Sequence, residues 1–207
     1  MPQPLSRVVP NASLIIGNAG DRPISRHPAL GILAIEALAS WSNVESFLLK
    51  LFVDLFGGNG SLAADVFLAL EGQSAKNAAI NAAATSALAD RPQELRVLRA
   101  ILALAKTNEK DRNKLAHWTW GESPGLEALL LVDPRATVAS LDTSKVYVYR
   151  EADFRSIIES NDRLCSYGLR FKFILNGHVA NRDGCLLKEL EESPEIKARL
   201  QTSSGGA

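Results

Sequence analysis

The residues best equipped for chemistry fall together near the middle of the chain. They are Lys110-Asp111-Arg112-Asn113-Lys114-Leu115-Ala116-His117, followed at once by Trp118-Thr119-Trp120-Gly121. An arginine grips a phosphate through two parallel hydrogen bonds, and a histidine moves protons near neutral pH. Together they are the minimum equipment for cutting a phosphodiester without a metal. The bare spacing of arginine, four residues and histidine is a weak signal, because Arg22-Pro23-Ile24-Ser25-Arg26-His27 repeats it. That second match holds a proline, lacks the asparagine and sits in an irregular segment. The discriminating content is Arg-Asn, then Leu-Ala-His, at the polar end of a long helix.

That helix is predicted to open at Asp90-Arg91-Pro92, with proline tolerated in the first turn. Its seam is Leu95, Leu98, Leu102, Ala105, Glu109, Arg112 and Ala116, spaced in threes and fours. The first four are apolar, and then the same face presents Glu109 and Arg112. A charge continuing a core stripe marks either a helix end or a functional cleft.

Other helices must support it. Leu30, Leu33, Ala37, Trp41, Val44, Leu48, Leu51 and Leu55 keep one helical face. Gly57-Gly58-Asn59-Gly60 should end that helix. Ser61 can cap a short helix through Leu70, Gly72 breaks it, and the alanine-rich Gln73–Leu88 favours close helix packing. Leu126 to Val132 and Val146 to Tyr149 read as two strands, a hairpin at the edge of the bundle. A further helix is expected from about Glu151 to Leu175. The expected organisation is an irregular, proline-rich arm at 1–28, a helical bundle at 29–121, and a β element with carboxy-terminal helices at 122–200. A disordered tail at 201–207 completes it. The arm and β element are expected to pack outside the bundle or to extend a dimer interface, so that a chain lacking residues 1–20 still folds.

Composition narrows the partners. The chain has 207 residues, of which 46% are hydrophobic, enough for a sizeable core. Lys+Arg and Asp+Glu are equal at 23 each, so a protein that coats nucleic acid by bulk charge is excluded and any RNA-directed role needs a local site. Cys165 and Cys185 have no CxxC spacing; they read as buried free thiols in a reducing compartment, with no metal site and no cofactor implied. The only apolar run near the amino terminus, Leu14-Ile15-Ile16, is too short for a signal-peptide core or a membrane span. A cytoplasmic protein without a membrane partner is expected.

The segment Arg112-Asn113-Lys114-Leu115-Ala116-His117 resembles the motif of the HEPN superfamily, all-helical domains whose ribonuclease members carry arginine, four to six residues, then histidine. The resemblance covers roughly Pro28 to Gly121, and implies a mainly α, HEPN-like bundle with the motif at the end of its last long helix. Family members often have a small residue after the histidine, where this chain has Trp118. By this resemblance Arg112 would hold the scissile phosphate, His117 would act as general base or general acid, and Asn113 would orient one of them. The implied activity is a metal-independent endoribonuclease, cutting RNA by 2′-hydroxyl attack, as a toxin or phage-defence effector with an antitoxin or other regulatory partner. The superfamily's site is assembled across a homodimer. About 140° separates Arg112 from His117 around a regular helix, which calls for the same arrangement unless the helix ends or distorts first.

Each neighbour has a second reading. Lys110 and Lys114, with Lys106, make a positive stripe that could bind RNA, though lysines on a helix face are ordinarily solvated. Trp118 could stack on a base; plugging the end of the bundle is the plainer role. Glu45 and Glu109 are candidate supporting carboxylates, with Arg112 or Lys76 as partners for Glu45. For the motif itself, basic residues near a helix C-terminus are favoured by the dipole alone. A catalytically silent module of the same fold, binding RNA, nucleotide or a protein partner, is therefore the alternative.

Overall fold

In a computed structural model that describes residues 1–10, 13–16, 22–138 and 140–204, the chain is mainly α with one small antiparallel sheet. Among the described residues the order is β1 (Gln3–Pro4), α1 (Leu5–Val8), β2 (Ile15–Ile16), α2 (Pro23–Arg26), α3 (Pro28–Phe56), α4 (Gly60–Ala69), α5 (Gln73–Ala87) and α6 (Pro92–His117). There follow β3 (Thr119–Glu122), β4 (Leu129–Val132), β5 (Val146–Tyr149), α7 (Glu151–Leu175), α8 (Cys185–Glu192) and α9 (Pro194–Ser204). The contacts divide into two units. One comprises Met1–Trp41 with Asn108–Ser160, the other Ser42–Thr107 with Asn161–Ala207. Helices α3, α6 and α7 contribute residues to both.

The first unit is built on the sheet, in the order β1-β5-β4-β3-β2, with every neighbouring pair antiparallel. Strand β4 reads Leu-Leu-Leu-Val and is buried at every position. Alternate side chains of a strand face opposite ways, so an unbroken apolar run is the mark of a strand covered on both faces. Leu129 and Leu131 join a core with Ala34, Ala37, Leu115, Phe154 and Ile157. Leu130 and Val132 join another with Leu5, Ala136, Val146 and Val148.

Two strands at the bundle's edge were the expectation; β4 and β5 are instead the inner strands of five. The segment expected to be a separate arm supplies both edge strands. Its Leu5 is fully buried in the second core cluster. The reason is that β3 and β5 each leave a row of backbone groups to be paired, and the arm is the chain that pairs them. Residues 11, 12 and 17–21 of the arm lie outside the described residues, as do the last three of the expected tail. The rest of that tail, 201–204, continues α9.

Gly121 shows how close the arm approaches. A β-carbon there would come within 2.9 Å of the Ile15 carbonyl, inside the β2–β3 ladder.

The second unit is helical. Phe52 on α3 packs against Phe67 on α4 with ring centroids 5.2 Å apart. Lys172 on α7 pairs with Asp54 at 3.1 Å, and Tyr167 donates to Glu195 on α9 at 2.9 Å. Helix α3 ends where the glycines were expected to end it, with φ of 68° and 65° at Gly57 and Gly58. The cap of α4 is Asn59, whose side chain accepts from the Leu62 N–H at 3.2 Å, rather than Ser61 two residues later.

By length and composition α3 is apolar enough to cross a membrane, with a mean hydropathy of 1.3 over its best window. The core helix of a soluble protein passes the same test. Trp41, Val44, Leu48 and Leu51 are all at most 2% exposed, which is the burial of a core helix.

A loop carboxylate supplies a pH dependence. Asp133 is buried and accepts from Arg135 through its backbone N–H and its guanidinium, at 2.5–2.9 Å. The Arg135 side chain holds its pKa down, from 3.8 to about 2. A carboxyl with a depressed folded pKa adds stability above its unfolded pKa, and loses it as pH falls through the folded value. Stability should therefore drop between about pH 4 and pH 2, and Asp133→Asn should remove that part of the drop, read from denaturant midpoints across the range. Leu5→Ala should cost about 2–5 kcal/mol by the same measurement. A chain that tolerates Leu5→Ala without loss would return the arm to the status of an appendage.

Candidate functional site

Helix α6 carries the motif residues and runs without a break from Pro92 to His117. Pro92 suits its first turn, and Glu94 there lies well with the helix dipole. The Trp118 N–H closes the final turn on the Lys114 carbonyl at 2.9 Å, and β3 begins at the next residue. No distortion separates Arg112 from His117, so their side chains leave the axis about 140° apart. Within one chain they do not converge.

The seam continues as expected through Ala105 and Arg112, but its last buried member is Leu115, while Ala116 is exposed. Arg112 is half-buried. Its guanidinium carbon lies 5.7 Å from the ring centroid of Trp41, itself 2% exposed, and its Nε is shut off from solvent. A guanidinium over an indole is a favourable pairing of charge and ring quadrupole. His117 is the final helical residue and is exposed.

Asn113 donates to Glu109, four residues back along the helix, at 3.5 Å, a long and weak bond. This is a different partner from the Arg112 or His117 orientation that the motif implies. Lys110 is exposed. Lys114 is drawn to Asp111 at 3.2 Å and lies 5.9 Å from the ring centroids of both Trp118 and Tyr147. Glu45 belongs to the other unit, where it lines a cavity of about 220 Å³ together with Lys76, one of its two expected partners.

Trp118 and Trp120 are half-buried against the first unit's core. Trp118 tilts against Tyr147 at 5.7 Å, and Trp120 stacks on Phe154 at 6.4 Å. With Arg22–Ser25 they wall a groove of about 420 Å³.

A charge cluster lies in the same unit that the sequence did not disclose. Glu122, 7% exposed, is paired with Arg26 and stands 3.5 Å from His27 Nε2. The pairing of Arg26 with Glu122 joins the end of α2 to β3 across 96 residues of chain, a separation at which no local spacing gives a signal. Nothing in the residues around His27 or around Glu122 points to the other.

The two free cysteines differ in setting. Burial, and then Asp162, push the Cys165 thiol up, away from the reactive thiolate. Cys185 is exposed rather than buried, and its thiol donates to the Ala180 carbonyl at 3.1 Å. Among the described residues no group of three or more His, Cys, Asp or Glu side chains has the arrangement of a metal site.

No family model, no curated protein and no solved structure matches this chain. The reading of the site therefore rests on its residues and their geometry.

The Glu122 cluster yields a direct test. The buried Glu122 carboxylate is held by Arg26, which is about half exposed and so partly screened, with the less exposed His27 imidazole beside it. Glu122→Gln should lower stability by about 1–3 kcal/mol, seen as a lower denaturant midpoint at unchanged m-value. An unchanged midpoint would show that the cluster contributes nothing to holding α2 on the sheet.

Proposed function

We propose that the protein is a metal-independent endoribonuclease of the HEPN type, working in the cytoplasm as a toxin or defence effector. Its active cleft is completed by a second copy of the chain. The observation that carries this reading is the placement of Arg112 and His117 on one undistorted helix, the arginine half-buried and the histidine exposed on the last turn. One copy presents an anion-binding group and a proton-transfer group on diverging faces. Two copies related by a two-fold axis near that helix end bring both groups of each chain to one cleft.

In that cleft the chemistry is proton transfer and charge neutralisation. One His117 takes the proton of the ribose 2′-hydroxyl, whose oxygen attacks the adjacent phosphorus. The Arg112 guanidinium offsets the charge gathering on the phosphoryl oxygens. The bond to the 5′-oxygen breaks, and the second His117 supplies its proton, leaving a 2′,3′-cyclic phosphate and a free 5′-hydroxyl. The exposure of Lys110 and the half-exposure of Lys114 suit them to the phosphates on either side. A regulatory protein or antitoxin would act by covering this helix end.

The catalytically silent module is a second reading, favoured by one observation. Arg112 is part of the packing around Trp41, and a cation held there serves the fold whether or not RNA is bound.

Incubating purified protein with mixed RNA in EDTA separates the two. The ribonuclease cleaves without added metal, and His117→Ala loses at least about a hundredfold of the rate. Arg112→Lys, which keeps the charge and the stem but not the forked pair of donors, should also lose most of it while remaining folded. Light scattering at micromolar concentration should give a dimer. Cleavage that stops on chelation, or survives both substitutions, defeats the mechanism, and a strictly monomeric protein removes the composite cleft.

A further inference from the structure

We infer that the groove walled by Trp118 and Trp120 is a nucleobase subsite for single-stranded RNA, with Arg22 engaging the adjoining phosphate. The choice of RNA as occupant rests on the ribonuclease reading, whereas the groove's own chemistry selects a base and a phosphate together.

Trp118, at the bend before β3, and Trp120, on the strand, both pack against one core cluster and both line the groove. Each is already braced on its own aromatic neighbour, Tyr147 for Trp118 and Phe154 for Trp120. A braced ring loses little freedom when a base stacks on it, so more of the stacking energy appears as affinity. Pro23 and Ile24 supply the apolar wall opposite, and Ser25 and Thr119 bring hydroxyls that can donate to or accept from a base edge. At about 420 Å³ the groove falls in the roughly 300–1,000 Å³ range of small-ligand sites.

Charge completes the match. Arg22 is exposed on the groove's wall; Lys114, already paired with Asp111, lies outside the lining, 5.9 Å from the Trp118 ring centroid. A purely apolar occupant would leave Arg22 without a purpose, and a free phosphate would leave both indoles without one. Aromatic rings beside a cation are the equipment of single-strand binders, since a duplex keeps its bases stacked inside. Trp118 is also the residue directly after His117, so on the ribonuclease reading the subsite adjoins the end of the helix that carries the motif. With the chain's charges balanced overall, affinity should come from stacking more than from counterion release.

Tryptophan fluorescence tests this with an oligonucleotide that the enzyme cannot cut. The chain has three tryptophans, and Trp41 is buried, so quenching reports on Trp118 and Trp120. Hexa-adenylate carrying 2′-O-methyl groups lacks the attacking hydroxyl. It should quench the wild-type protein saturably, with a salt slope near that of one or two phosphates, roughly −0.7 to −1.4. Arg22→Ala, on an exposed side chain, and Trp118→Phe, which keeps a ring in the core, should each weaken binding several-fold. Trp120→Leu should weaken it at least about fivefold, as loss of one stacked base does. An abasic oligonucleotide of equal length and inorganic pyrophosphate should both fail to quench.

Quenching by the abasic chain or by pyrophosphate equal to that by hexa-adenylate overturns the base subsite, as does affinity unchanged in Arg22→Ala and Trp118→Phe. Binding of the uncuttable oligonucleotide by a protein that leaves ordinary RNA intact would reject the ribonuclease and keep the subsite. Cleavage of ordinary RNA without quenching would do the reverse.

Discussion

The unbroken hydrogen-bond ladder of α6 fixes everything around the motif. Because the helix keeps its pitch to His117 and gives way at once to β3, the angle between Arg112 and His117 is set by backbone geometry, not by side-chain choice. The same abrupt change leaves Trp118 at the bend between α6 and β3 and Trp120 on the strand, both packed against the first unit's core. Had the helix frayed a turn earlier, the histidine could have swung toward the arginine, and the indoles would have been spread around a loop. The helix end that keeps Arg112 and His117 on diverging faces is thus followed at once by the residues that wall the aromatic groove.

The strand that follows α6 is held in place by segments distant in sequence. β3 pairs with β4 on one side and with β2, from the first residues of the chain, on the other. Its last residue, Glu122, is clasped by Arg26 and His27. The amino-terminal segment therefore positions the site twice, through a ladder of backbone hydrogen bonds and through a buried ion pair. Leu5, seated under β4 and β5, ties the same segment to the far face of the sheet. A change in the first 27 residues can reach the motif's neighbourhood without touching the motif.

What was legible in the sequence follows from how local each signal is. The long helices were legible because a spacing of three and four extends over many turns, and Pro92, Gly57 and Gly72 mark ends by backbone chemistry alone. β4 and β5 were legible as apolar runs. The five-stranded sheet was not, because two of its strands are two residues long and carry no periodicity, and Thr119–Glu122 holds a glycine and a glutamate where a strand pattern wants apolar residues. Arg112's place on the core stripe was visible from the threes and fours. Its resting place over Trp41 was not, since that pairing joins α3 to α6 across 71 residues. Glu122 with His27 was hidden for the same reason.

The packing of Arg112 against Trp41 shows how a charge is accommodated at the margin of a core. Burying a guanidinium is costly, and the ring face of Trp41 offsets part of that cost. The indole also excludes water from one side of the cation, and in that less polar setting every charge interaction the guanidinium makes is stronger than it would be in solvent. His117, by contrast, stays in solvent on the last turn of the helix, so anything that covered this helix end would change the surroundings of the histidine far more than those of the arginine.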